Sequence, residues 1–157
     1  MTDPSLAPPP IAVSHIGLCV SDLDRAMQIY CDGLGFEPAD RYDIGDEVAH
    51  TLEVETRVEL VSQMIQRDGF KIELLGWISP TVEGTPSTRR NQLGITHLSF
   101  TVQDLPAVEA RLVELGCAVL ESTRTTIPFP GGRTELLFLA DPDGTRLELM
   151  AFVVDPT

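Results

Sequence analysis

The chain carries the same short pattern twice. Residues 15–25 read HIGLCVSDLDR and residues 97–107 read HLSFTVQDLPA, so His15 aligns with His97, Val20 with Val102, Asp22 with Asp104 and Leu23 with Leu105 at an offset of 82. After a one-residue slip Leu34-Gly35 matches Leu115-Gly116. Each half then closes on a segment with one glutamate, FKIELLGW at 70–77 and TRLELMAF at 145–152. An order of His, Val-x-Asp-Leu, Leu-Gly and Glu kept in both halves marks a duplicated supersecondary unit. A length of 157 residues bounds the chain to one domain, or to two small halves that share a core. The two copies are expected to close about a pseudo-twofold axis.

Local signals describe the unit. VSHIGLCV and ITHLSFTV are β-rich runs that end just before an Asp-Leu pair. Ser21 and Asp22 suit a helix N-cap, with Leu23, Ala26, Met27 and Tyr30 following at helical spacing. Asp104 caps the second helix, Pro106 falls in its first turn, and Val108, Ala110, Leu112 and Leu115 follow. Gly33 or Gly35, and Gly116, are the stops. Strand-type runs come next at 37–42, 47–54, 58–64 and 70–77, then at 117–122, 134–140 and 145–152. The second set is one short, which 124–127 can supply, and DPDG at 141–144 is a turn. The pattern predicts an α+β fold of two tandem βαβββ modules, at 11–80 and 94–153, which together make one domain with an open cleft. Residues 81–93 read as a linker, and 1–10, with Pro8-Pro9-Pro10, as a disordered tail.

Composition excludes several function classes. With 24 acidic against 11 basic residues the net charge is −13, which leaves no broad basic footprint for nucleic acid or anionic lipid. No apolar run approaches a membrane span, and the start of the chain has no signal-peptide pattern, so a soluble cytoplasmic protein is expected. Cys19, Cys31 and Cys117 are odd in number and lack CxxC spacing. They suggest small buried filler rather than disulfides or a thiolate zinc site.

Strand alternation gives the candidate site. His15 shares a strand face with Val13, Gly17 and Cys19, and His97 with Ile95, Ser99 and Thr101. Glu73 lies with Lys71, Leu75 and Trp77, and Glu148 with Arg146, Met150 and Phe152. In each case the polar residue avoids the more continuous apolar face. If both modules curl alike, His15, Glu73, His97 and Glu148 line one concave surface. Two imidazoles and two carboxylates suit one divalent ion of the Mn, Fe, Co, Ni or Zn class. Such an ion polarises a carbonyl, and a neighbouring carboxylate removes the α-proton. Glu73 and Glu148 are thus candidate bases as well as ligands. Arg89, Arg90 and Arg133 are candidates for an anionic part of the substrate, and Trp77 and Phe129 for the pocket wall. His50 has no repeat partner, and Asp40, Asp43, Asp46 and Glu47 read as a solvated rim.

These motifs, HIGLCVSDLDRAMQIYCDGLGFEP with KIELL and THLSFTVQDL with DPDGTRLELM, resemble the vicinal oxygen chelate superfamily. It includes glyoxalase I, methylmalonyl-CoA epimerase, extradiol dioxygenases, and the fosfomycin and bleomycin resistance proteins. The resemblance spans about residues 11–153 and implies paired βαβββ modules around a metal cleft, commonly in a homodimer. It places the ligand positions on His15, Glu73, His97 and Glu148. Within it, two glutamates favour an isomerase, epimerase or lyase that takes an α-proton from a small carbonyl-containing substrate through a metal-chelated enediolate. The other readings are an extradiol-type dioxygenase, a metal-dependent resistance transferase, and a binding protein without turnover.

Overall fold

The structure, a computed structural model, describes residues 11–155. The tail read at 1–10 lies outside them. The first half runs β1 (Ile16–Val20), α1 (Leu23–Met27), β2 (Glu37–Ile44), β3 (Glu59–Arg67) and β4 (Phe70–Ser79). The second runs β5 (Leu98–Thr101), α2 (Leu105–Glu114), β6 (Ala118–Val119), β7 (Thr125–Phe129), β8 (Gly132–Ala140) and β9 (Arg146–Val154). The first sheet has the order β1-β4-β3-β2, with β1 parallel to β4 and the other pairs antiparallel. The second has the order β5-β9-β8-β6, with β7 also on β8 and β5 parallel to β9. Each half is a βαβββ unit in an α+β fold, and neither sheet closes into a barrel.

The helices start where the Asp residues predict. Asp22 accepts the Arg25 backbone N–H at 3.0 Å, and Asp104 accepts that of Ala107 at 3.0 Å. Each bond satisfies an amide that the first helical turn leaves without a partner. The first helix loosens into a π-helical turn over Gln28–Gly33. Gly35 and Gly116 follow the helices at φ +72° and +93°, a conformation that disfavours any side chain.

Two strand expectations change. The run at 47–54 is not a strand; a 3-10 turn at Asp46–Val48 and further turns replace it. The Asp46 carboxylate accepts from Val58 N–H at 2.6 Å and Glu47 accepts from Gly45 N–H at 3.0 Å. Side chains there compete with a ladder for the backbone. The run at 117–122 shrinks to β6, a 3-10 turn at Glu121–Thr123 intervenes, and β7 resumes on the same neighbour, β8. One outer strand of the module is thus broken in two.

The sheet faces divide as alternation requires. Ile72, Leu74, Leu147 and Leu149 are fully buried against the helices, whereas Glu73 and Glu148 between them are only half-buried. Burial of each such side chain stabilises the fold by roughly 1.5–3 kcal/mol. One apolar cluster spans both modules, from Val20, Ile29, Tyr30 and Leu74 to Leu112, Leu137 and Leu149. Beside it Gly33 meets α2 closely: a Cβ there would lie 2.9 Å from the side chains of both Leu112 and Leu115. Two polar links cross the same junction. Tyr30 O–H donates to Asp141 at 3.1 Å, and the Ser21 N–H donates to Asp143 at 2.9 Å.

Candidate active site

The register of the parallel strand pairs builds two copies of one local arrangement. Gly17 lies opposite Glu73 between β1 and β4, and Ser99 opposite Glu148 between β5 and β9. Each histidine is two residues before that position on the same face, so its ring reaches diagonally to the glutamate. His15 Nε2 stands 3.1 Å from Glu73 Oε2, and His97 Nε2 stands 3.5 Å from Glu148 Oε2.

The surroundings of the two pairs match at the histidines, while the glutamates are held by serines from different strands, Ser62 of β3 and Ser99 of β5. Ser14 Oγ lies 2.9 Å from His15 Nδ1, and Thr96 Oγ1 lies 2.7 Å from His97 Nδ1. Ser62 donates its hydroxyl to Glu73 Oε1 at 2.5 Å, and Ser99 donates to Glu148 Oε2 at 2.6 Å. The Phe138 ring stands edge-on to His97 at a centroid distance of 5.2 Å, directly across from Glu148 in the β8–β9 register. Ser14, Thr96, Ser62, Ser99 and Phe138 were not singled out from the sequence. For Ser14 and Thr96 a signal existed, since a hydroxyl residue precedes the repeated histidine in both halves. Ser62 carried none, because its contact depends on how β3 pairs with β4.

The donor chemistry of each pair suits a divalent metal. Two adjacent ligand atoms on an octahedral ion with bonds of about 2.1 Å sit about 3 Å apart, close to the spacing in each pair. When Nδ1–H donates to the hydroxyl, Nε2 turns a lone pair towards a carboxylate oxygen. In that tautomer the two lone pairs converge as a metal ion's ligands do; in the other tautomer Nε2–H donates to the carboxylate instead. A hydroxyl on the far nitrogen is also the arrangement that orients a ligating imidazole. The pairs, however, stand apart within one chain: among the described residues no three His, Cys, Asp or Glu side chains are grouped to hold one ion.

The remaining candidates divide. Arg90 lies over Phe138, 5.9 Å from the ring centroid, and so comes close to His97. Arg133 ion-pairs with Glu135 at 2.7 Å. It points to the opposite face of β8 from Phe138, away from the glutamate. Arg89 is exposed in the linker, where its backbone N–H donates to Ser87 Oγ at 3.2 Å. Trp77 and Phe129 share the strand faces of Glu73 and Glu148, but each lies several residues along the sheet from its glutamate. A cavity of about 690 Å³ runs along β5 past His97, Ser99 and Phe100 to Arg67.

The profile of the glyoxalase/bleomycin resistance protein/dioxygenase superfamily matches residues 12–149. The chain belongs to this superfamily. It is 29% identical over 140 residues to the ethylmalonyl-CoA/methylmalonyl-CoA epimerase of Cereibacter sphaeroides, covering 87% of this chain and 95% of that one. It is 27% identical over 144 residues to the catechol-2,3-dioxygenase of Bacillus subtilis, covering 88% of this chain but only 41% of that protein's length. In fold it resembles a glyoxalase family protein from Bacillus cereus, with a TM-score of 0.78 over 94% of this chain and 98% of the other at 17% identity. Members of this superfamily include both proton-transfer enzymes and oxygenases, so the choice between them rests on the site.

Proposed function

We propose that this chain is a metal-dependent isomerase, epimerase or lyase that abstracts a proton alpha to a substrate carbonyl. The observation that carries this reading is the twofold recurrence of a His–Glu pair in which a serine hydroxyl also holds the glutamate. An oxygenase site of two histidines and one carboxylate has no use for a second matched glutamate. A proton-transfer site does: one carboxylate takes the proton from one face and the other returns it to the opposite face or to the neighbouring carbon. Resemblance to an epimerase over nearly the whole of both chains supports the same choice.

His15, Glu73, His97 and Glu148 are the proposed ligands, and Glu73 and Glu148 the proposed bases. A bound divalent ion supplies Lewis-acid polarisation of the carbonyl. The serines keep each carboxylate aimed at the substrate while it holds the proton. Because each module supplies only half of the ligand set, a second copy of the chain is the proposed source of the other half. The site face is apolar where such a partner would pack: Val13 and Ile95, equivalent positions two residues before each histidine, are 92% and 70% exposed.

The test is solvent deuterium exchange, followed by proton NMR, into 2-hydroxy ketones and acyl thioesters incubated with the zinc-, cobalt- or nickel-loaded protein. Exchange at the α-carbon that is lost in Glu73→Gln and Glu148→Gln is the expected result. Oxygen consumption by the iron-loaded protein without any exchange would overturn it in favour of a dioxygenase.

A further inference from the structure

Ten arginines serve a chain with 24 acidic residues, and half of them have found an acid. Arg57, Arg67, Arg111, Arg124 and Arg133 are all in ion pairs. Arg90 and Arg146 form none among the described residues, yet both stand beside His97. Arg146 opens β9 directly beside His97, since Leu98 and Leu147 are partners in the β5–β9 register. Its guanidinium donates to the Gly144 carbonyl at 2.8 Å. Arg90 comes from the linker, donates to the carbonyls of Ser87 and Thr96, and lays its guanidinium over Phe138. Partial desolvation, and then the charge of Arg146, push the Arg90 pKa down. The two cations therefore feel one another.

Two neighbouring guanidinium groups, neither of them in an ion pair, repel, and an anion placed between them removes the repulsion. Each retains N–H donors after its carbonyl bonds, because a guanidinium carries five. The elements that hold them, Phe138 and the start of β9, are the ones that also hold His97 and Glu148. The equivalent of Arg146 in the first module is Lys71, across from His15, but among the described residues no second cation joins it from a linker. The two modules therefore differ in their cations near the histidine.

We propose that Arg90 and Arg146 form an oxyanion-binding subsite beside His97 and Glu148, which takes a carboxylate or phosphate group of the substrate. This rests on the reading of the His–Glu pairs as the reacting centre and narrows the substrate to an anionic carbonyl compound. Against a net charge of −13 such a local cation pair also dictates which end of an anionic substrate enters first.

The test is an NMR titration of the full chain at low ionic strength with malonate and, separately, with inorganic phosphate. Each is run with zinc present and after chelation, and zinc binding is measured on the same samples. The expected result is saturable binding of at least one anion, with shifts on the Phe138 ring. Arg90→Gln and Arg146→Gln should each weaken it about tenfold, while Arg111→Gln, on α2, leaves it unchanged. Whichever anion binds more tightly identifies the group. Should Arg90→Gln disturb the linker, Arg146→Gln carries the test alone. Failure of both anions to bind, or binding that survives the double variant, would overturn the subsite. Zinc binding with arginine-independent anion binding sinks the subsite and spares the metal reading; arginine-dependent anion binding without zinc binding does the reverse.

Discussion

The phenol of Tyr30 in the first module donates to Asp141 in the second at 3.1 Å, with both side chains buried. The other Asp141 oxygen accepts the Thr145 N–H at 2.7 Å. Burial raises the Asp141 pKa above its ordinary 3.8, the Thr145 and Tyr30 bonds oppose this, and Asp143 adds to it, leaving the pKa raised. The folded state thus holds a proton that the unfolded chain has already released. The stability that Asp141 contributes is greatest below its unfolded pKa and is lost as pH rises through the raised value. In Asp141→Asn this pH dependence disappears. Urea unfolding across the acid range is expected to show the wild type losing stability relative to the variant as pH rises; a constant difference would contradict the assignment.

If two chains complete each site, inactive variants should rescue one another. One chain carries His15→Ala with Glu73→Gln, the other His97→Ala with Glu148→Gln, and neither alone is expected to bind zinc. After mixed refolding, half the dimers are hybrids with one intact and one empty site. Bound zinc should recover to about a quarter of the wild-type amount. No recovery in confirmed hybrids would place all four ligands within one chain.

Ser62 and Ser99 position the glutamates without being proposed ligands. Ser62→Ala and Ser99→Ala should each weaken zinc binding by about 10–100-fold, read by competition with a chelating dye. Ser99 is exposed, so its variant should unfold at the same urea concentration as the wild type. Unchanged zinc affinity in both variants would remove the serines from the site.

The close approach at Gly33 is a packing constraint between modules. Gly33→Ala drives a methyl group against Leu112 and Leu115 and is expected to cost about 1–3 kcal/mol. Leu115→Ala in the same chain opens space and should recover part of the loss, a coupling that a double-mutant cycle measures. Additive effects would mean that the helices separate instead.

Thiol reactivity should rank by burial. Cys117 is buried, and burial together with the Asp141 charge pushes its thiol up to about 11, with Arg25 opposing. Cys19 is exposed. Maleimide at neutral pH is therefore expected to label Cys19 in the native protein and Cys117 only on unfolding, as peptide mapping would reveal.

Much of this molecule is legible along the chain. The repeat of His15 and His97 with Glu73 and Glu148, the Asp caps and the period-two alternation are local patterns. They need only the geometry of a strand or a helix turn to be read, so they place each histidine and glutamate on the same sheet face. The segment at 47–54 has a strand-like composition, but side-chain bonds from Asp46 and Glu47 override it. Ser62 was invisible because nothing in its own neighbourhood says that β3 will set it against Glu73. Only the tertiary structure decided that the two His–Glu pairs stand separately in one chain. Only it set Arg90 on Phe138, near Arg146 and far from Arg133 in role. Periodicity is a property of neighbours along the chain, whereas convergence depends on long-range packing, and no spacing in the sequence encodes it.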